Sequence, residues 1–417
     1  MKYSSILTIL SGTLASAAYP GDIVQYWVDQ SAILVNGTVI GGLQSPPSGW
    51  FEAIVQGAVY LSADQSHNES LAFQQLAVSH AAHNTLIWAF HATQLYSTIN
   101  SKLRAILPAI GLDPTSTSGL KAVEIGRQAS RKVVTARADD GINNFVDYVQ
   151  QPALPGVYQA TPGGQPIPDT PQAQFIWPFA GIGDIKRFRA PPPPSVNSSE
   201  YEGFLNYVKA QGMRRSAVRT AHDTETAYFW KESQPIMSNR LATAIIGNSL
   251  ATDVRASAKI YAQLNYALSN AAIATWDSKY FYNAWRPVTA IRHPTIFLAS
   301  GTSVTNTTWE PLLIPTPNHQ DYLSTHAAFA GAAAAVLRAY NNGSDVVDVT
   351  ISSNVTLDNV GVVSRRVISL SEMAKDVGDS RVFGGIHFNF SCEQGVKTGD
   401  WVARETLKNF DEKWMDF

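Results

Sequence analysis

Three stretches of the chain hold the side chains best suited to chemistry. In "KYFYNAWRPVTAIRH", residues 279 to 293, Lys279 and Arg286 stand seven positions apart in an aromatic-rich run. Read as helix, that spacing is nearly two turns and puts both cations on one face. Pro287 is then taken up by a helix end or a kink. In "TPNHQDYLSTHAAFAGA", Ser324, Thr325 and His326 follow a loop and open an apolar helix. The unpaired N–H groups and the dipole of such a start favour an anion. Ser324 adds a hydroxyl donor, and His326 can move a proton near neutral pH. In "SRVFGGIHF", Arg381 precedes His387 across Gly384 and Gly385, which permit a bend that carries the histidine back toward the arginine's side. Each stretch alone also has a plain reading: a solvated helix face, an N-cap beside an incidental histidine, and a loop. If the three converge, they form an oxyanion pocket with acid–base groups.

The elements that must position these residues are helices. Residues 70 to 107 show apolar positions at three- and four-residue spacing with no internal proline or glycine. Similar patterns predict helices over about 117 to 138, 199 to 212, 217 to 247, 251 to 285, 326 to 341, 357 to 377 and 391 to 408. No alternating run bounded by Asn-Gly or Asp-Gly turns predicts an extensive sheet, and strand is expected only near Ile33 to Ile40. The fold class is therefore all-α, and bundles often build sites from side chains on facing helices. Residues 151 to 196 are too rich in Pro and Gly for regular helix. They also carry Tyr158, Phe175, Trp177, Phe179 and Phe188, which disordered linkers lack, so an ordered excursion across the helices is expected.

Composition narrows the function classes. The chain has 417 residues, 45% of them hydrophobic, and a formal charge of −2. That balance gives no basic field for nucleic acid, so any anion specificity is local. The N-terminus, "MKYSSILTILSGTLASAAYP", has the short cationic start, apolar middle and Ala-x-Ala site of a signal peptide over residues 1 to 17. Residues 18 to 417 then form one helical domain, with the chemical motifs inside 251 to 410. The richest later apolar run, "AAFAGAAAAVL", is too short for a membrane span. Asn-x-Ser/Thr sites at Asn36, Asn68, Asn197, Asn306, Asn342, Asn354 and Asn389 suit a secreted, extracellular glycoprotein. Asn389 is expected to stay bare, because a glycan there would block the pocket. Cys392 is the single cysteine, which excludes an intrachain disulfide.

In their order and internal spacing, "KYFYNAWRP", "YLSTH" and "SRVFGGIH" resemble the K-x6-R-P, P-S-G-H and S-R-x5-H signature. Vanadium-dependent haloperoxidases, bacterial acid phosphatases and type 2 phosphatidic acid phosphatases share that signature. "RADDG" at 137 to 141 and "RFRAPPPPSV" at 187 to 196 are also similar to the soluble haloperoxidase branch. The resemblance implies vanadate as cofactor, hydrogen peroxide and halide as reactants, and a small organic substrate. It implies that Lys279, Arg286 and Arg381 neutralise vanadate oxygens, with Ser324 and the Thr325 N–H donating to them. His387 would be the axial nitrogen ligand to vanadium, and His326 the acid–base group. Vanadate resembles the five-coordinate transition state of phosphoryl transfer. A secreted acid phosphatase with a His387 nucleophile is therefore the alternative. A non-catalytic anion-binding or scaffold protein also stays open, because Leu323 and Thr325 stand where the signature has Pro and Gly.

Further candidates lie around these motifs. Trp276 and His319 occupy places that flank the halide side in the family. A histidine in the place of His319 resembles the bromoperoxidases, so bromide is expected over chloride. Asp223, Glu225 and Glu372 are candidates for orienting the arginines. His80 and His83 lie one turn apart without a third ligand, and read as packed or capped histidines.

Overall fold

The computed structural model describes residues 18–36, 45–90, 93–294, 299–301, 303, 305–353, 355 and 361–417. The expected signal peptide lies outside them. The first five helices are α1 (Ile23–Asn36), α2 (Ser45–Ser66), α3 (Leu71–Ala89), α4 (Thr93–Ile110) and α5 (Thr117–Ala136). Ser70 and Ser116 cap α3 and α5 through their hydroxyls. The expected helix over 70 to 107 is thus two helices. α3 stops where Phe90 turns into the core, its ring 4.4 Å from that of Phe51. The expected strand near Ile33 is instead the last turn of α1, and residues 37 to 40 lie outside the described ones.

Next come α6 (Ser199–Gln211), α7 (Ala221–Phe229), α8 (Gln234–Ile246), α9 (Val254–Tyr282) and α10 (Pro287–Arg292). The pattern over 217 to 247 is cut at Trp230–Ser233, where Pro235 starts a new helix instead of continuing the old one. α11 (Thr325–Tyr340), β1 (Val346–Ser353), β2 (Val363–Ser369), α12 (Leu370–Phe383) and α13 (Asn389–Lys413) complete the order. Residues 363 to 369, read as the start of a helix, pair instead with β1 in an antiparallel hairpin, Val349 opposite Val367. "VSRRVIS" has too few residues of either period for the pattern to decide.

The 29-residue α9 runs through the middle, against α2, α11 and α13. Small residues make the close approaches: a Cβ on Gly399 would lie 1.9 Å from the Ala328 carbonyl oxygen, and one on Gly331 2.2 Å from that of Val396. α11 and α13 therefore lie nearly backbone to backbone. The excursion over 151 to 196 is packed as expected. The Tyr158 N–H donates to the Asn283 carbonyl at 2.8 Å and its hydroxyl to Asn318 at 2.9 Å. Arg189 grips Asp277 of α9 at 2.5 and 2.8 Å. Phe179 and Phe188 are buried, while Phe175 and Trp177 face solvent. No helix among the described residues is long and apolar enough to cross a membrane.

Candidate functional site

Lys279 and Arg286 do converge, but not on one helix face. Asn283, with φ 46°, ends α9 in the left-handed region, and Arg286 is the residue before Pro287 at the start of α10. The chain therefore turns between the two cations. Lys279 sits in the last turn of α9, fully buried, and its ammonium donates to the carbonyls of Gln320, Asp321 and Leu323. All three protons are spent on the loop that precedes α11. The Arg286 guanidinium, also fully buried, donates to the His319 and Ile386 carbonyls, both at 2.7 Å. Each cation thus clamps a loop as well as charging the site. That second task was not legible in a spacing argument.

The other two stretches close around them. Ser324 is the residue before α11, yet its side chain makes no capping bond, so the N-cap reading does not hold. Thr325 keeps ordinary negative φ, and its hydroxyl accepts from Thr275 of α9 at 3.3 Å. The β-branched side chain is held against α9 without backbone strain. Gly385, with φ 73°, makes the bend that brings His387 back, and a Cβ there would meet the Gly212 carbonyl oxygen at 2.3 Å. Arg381, in the last turn of α12, donates to the Trp230 carbonyl at 2.8 Å.

His387 shows what this arrangement can do. An arginine only donates, so the 2.9 Å contact from Arg286 Nη1 makes His387 Nε2 an acceptor. The proton of the neutral ring is then on Nδ1, which lies 2.9 Å from Asp321 Oδ1. Burial first, and then Arg286 and Lys279, hold the His387 pKa well below its ordinary value. The Nε2 pair is thus unprotonated at neutral pH, and a group binding there takes the place of the Arg286 bond. His326 is neutral for similar reasons, burial first and Arg381 next, and one ring nitrogen is engaged by the Lys231 backbone. His319 packs its ring 4.8 Å from that of Trp276 and takes a bond from Arg286 Nη2 at 3.0 Å. Lys279 Nζ lies 5.6 Å from the Trp276 ring.

Asp321 is the residue that sequence reasoning missed. It is a buried carboxylate in contact with His387, and burial raises its pKa to about 7 against the pull of Arg286 and Lys279. Its position in "NHQDYLSTH", five residues before His326, was the available signal. The carboxylates expected to orient the arginines do other work. Asp223 closes the capping box of α7, Glu225 pairs with Arg365 at 3.3 Å, and Glu372 sits in the first turn of α12. His83 Nε2 lies 2.8 Å from Asn100 Oδ1, and no group of metal-ligating side chains is found among the described residues.

Comparison with known proteins places this geometry. Residues 259–416 match the family model of the VCPO second helical-bundle domain. The vanadium chloroperoxidase of Curvularia inaequalis is 26% identical over 293 residues, which are 54% of this chain and 47% of that protein's length. A holo-type bacterial vanadium-dependent chloroperoxidase superposes with a TM-score of 0.72 at 19% identity, over 96% of this chain and 99% of that one. The chain is a structural relative of the vanadium haloperoxidases. A bacterial vanadium-dependent iodoperoxidase gives a TM-score of 0.74 at 18% identity, over 93% and 96%. This shared fold accompanies different halides in its relatives, so it does not carry the halide preference. All three motif stretches lie within residues 259–416, the part matched by the family model.

Proposed function

We propose that this chain is a vanadate-dependent haloperoxidase, using hydrogen peroxide to oxidise halide, bromide before chloride, for the halogenation of small organic substrates. One observation carries the reading. Three buried cations, Lys279, Arg286 and Arg381, face one fully buried carboxylate, Asp321, with the partly buried Asp169 also acting on Arg286. Burying a charge without its counterion costs several kcal/mol. An excess of positive charge in the core is thus explained by a bound anion. The polar lining fits an oxyanion: Arg381 Nε is a buried donor with no hydrogen-bond partner among the described residues, the buried Ser324 hydroxyl lies beside the Cys392 thiol, and the buried His326 Nε2 offers a free lone pair for a proton of the bound group. The first N–H groups of α11, beginning at Thr325, add backbone donors of the same sign.

Vanadate bound here would supply Lewis-acid activation of peroxide toward halide. The chain's own residues divide the remaining work. Arg381 and Ser324 would hold oxygens of the anion, and Arg286 and Lys279 contribute field and hold the loops in place. His387 would hold the anion through its Nε2 pair, with Asp321 on its Nδ1 side. His326 holds or accepts a proton at Nε2 and is oriented by the Lys231 carbonyl. Trp276 and His319 form the wall on the halide side, where the histidine supports the bromide preference. Exposed sequons at Asn68, Asn197 and Asn342, together with the N-terminal leader, support secretion. A glycosidase-sensitive mass shift in secreted material tests that part.

The test of activity loads the chain with orthovanadate and measures bromination of a phenol with peroxide and bromide. p-Nitrophenyl phosphate is offered in parallel to vanadate-free protein. Vanadate-dependent bromination supports the proposal. Phosphate release alone assigns the pocket to a phosphatase with a His387 nucleophile, and neither activity leaves an anion-binding protein.

A further inference from the structure

The site residues differ in their access to solvent. Lys279, Arg286, Ser324, Thr325, Arg381 and His387 are all buried, and Trp276 and His319 beside them are buried too. His326 alone is partly exposed. The pocket is therefore most thinly covered on the His326 side, although Nε2 itself is buried. The segment there is the Trp230–Ser233 turn between α7 and α8. Its consecutive carbonyls serve the site: that of Trp230 accepts from Arg381 at 2.8 Å, and that of Lys231 engages the His326 ring. The turn is fixed from behind. Trp230 Nε1 donates to Asp376 at 2.6 Å, and Glu232 is held by Arg240 at 2.9 and 3.0 Å and by Ser353 at 2.9 Å.

Lys231 is thus mounted on a rigid rim, on that thinly covered side, next to both Arg381 and His326. Its residue is exposed, and no carboxylate partner is found for its ammonium among the described residues. The neighbouring acid, Glu232, is committed to Arg240. Partial burial, with Arg381 as second cause, lowers the Lys231 pKa, which agrees with an ammonium close to that guanidinium.

We infer that Lys231 is the recruiting cation of this pocket, drawing oxyanions and halides from solvent past His326 to the buried arginines. A rim charge changes association rates, whereas buried ligands change dissociation. The inference rests on the oxyanion reading above and assigns the entrance of that same site.

The experiment is stopped-flow association of orthovanadate with the full chain, followed by tryptophan fluorescence, over a range of ionic strength. At low salt, Lys231→Gln should lower the association rate constant about fivefold and Lys231→Glu at least about tenfold, within the usual range of electrostatic steering. Lys231→Arg should restore it. The differences should fade near 1 M salt, where the screening length falls to about 3 Å, and dissociation rates should stay within about twofold. Equal association rates for all variants at low salt would overturn the inference alone. A loss confined to the dissociation rate would also overturn it, making Lys231 a direct ligand. No vanadate uptake by the unaltered chain would overturn the oxyanion reading and the inference together.

Discussion

His387 is touched on both ring nitrogens, by Arg286 on Nε2 and by Asp321 on Nδ1, each at 2.9 Å. Two opposite outcomes follow for Asp321→Asn. Removing a negative charge from a cationic pocket would by Coulomb's law tighten oxyanion binding. Exchanging the charged carboxylate that faces Nδ1 for a neutral amide would loosen the hold on the ring and weaken binding. Orientation is expected to win, because the arginines keep their loop contacts while the His387 ring loses its support. Vanadate affinity measured by titration calorimetry should fall roughly 10- to 100-fold, the usual cost of losing such a support. His387→Ala should abolish vanadate retention. His326→Ala should retain vanadate and lose most turnover, read by comparing bound vanadium with bromination rate. Both variants keeping full activity would remove these roles. Most of this residue set was legible in the sequence, because chemistry-bearing types at fixed spacing survive without coordinates. Asp321 was not. A lone acid in a loop offers only its nearness to a motif, and only the fold shows which side chain it faces.

At the scale of elements, each candidate site residue stands at or near an element end. Lys279 closes α9, Arg286 precedes α10, Ser324 precedes α11, Arg381 closes α12 and His387 lies just before α13. Such ends are where sequence periodicity is weakest. The run from Lys279 to Arg286 was read as helical, and the left-handed Asn283 ends the helix before Arg286. The helix over 217 to 247 was expected to be continuous, and its break is the turn that holds Arg381 and His326. The long interiors, by contrast, were readable from their apolar spacing. Gly385 tests whether these ends must be placed as they are. Gly385→Ala puts a Cβ on a φ of 73°, 2.3 Å from the Gly212 carbonyl oxygen. The left-handed conformation alone costs about 1–2 kcal/mol. The variant should melt at lower temperature, and vanadate binding measured at a temperature where it is still folded should fall as well. Unchanged vanadate affinity would mean that the bend does not set His387.

At the scale of the whole molecule, the core carries buried charge far from the pocket too. Glu52 of α2 is 2% exposed and accepts from Ser31 of α1 at 2.7 Å, with its other oxygen and the Gln56 amide unpartnered among the described residues. Burial raises its pKa from 4.5 to about 7. A carboxyl raised on folding stabilises the fold fully below pH 4.5 and loses that contribution as pH rises through 7. The loss is about 3 kcal/mol. Glu52→Gln should therefore melt higher than the unaltered chain above pH 7 and flatten the dependence between pH 5 and 7, measured by thermal unfolding across pH. An identical pH dependence in both proteins would show that Glu52 is not the titrating group. The central claim is that distant segments of this helical fold converge on one vanadate. The most direct measurement is a crystal structure of the chain soaked in orthovanadate. One anion should bind His387 Nε2, with Ser324, Arg381 and the start of α11 around its oxygens. Vanadate at another place, or none at saturating concentration, would contradict the account.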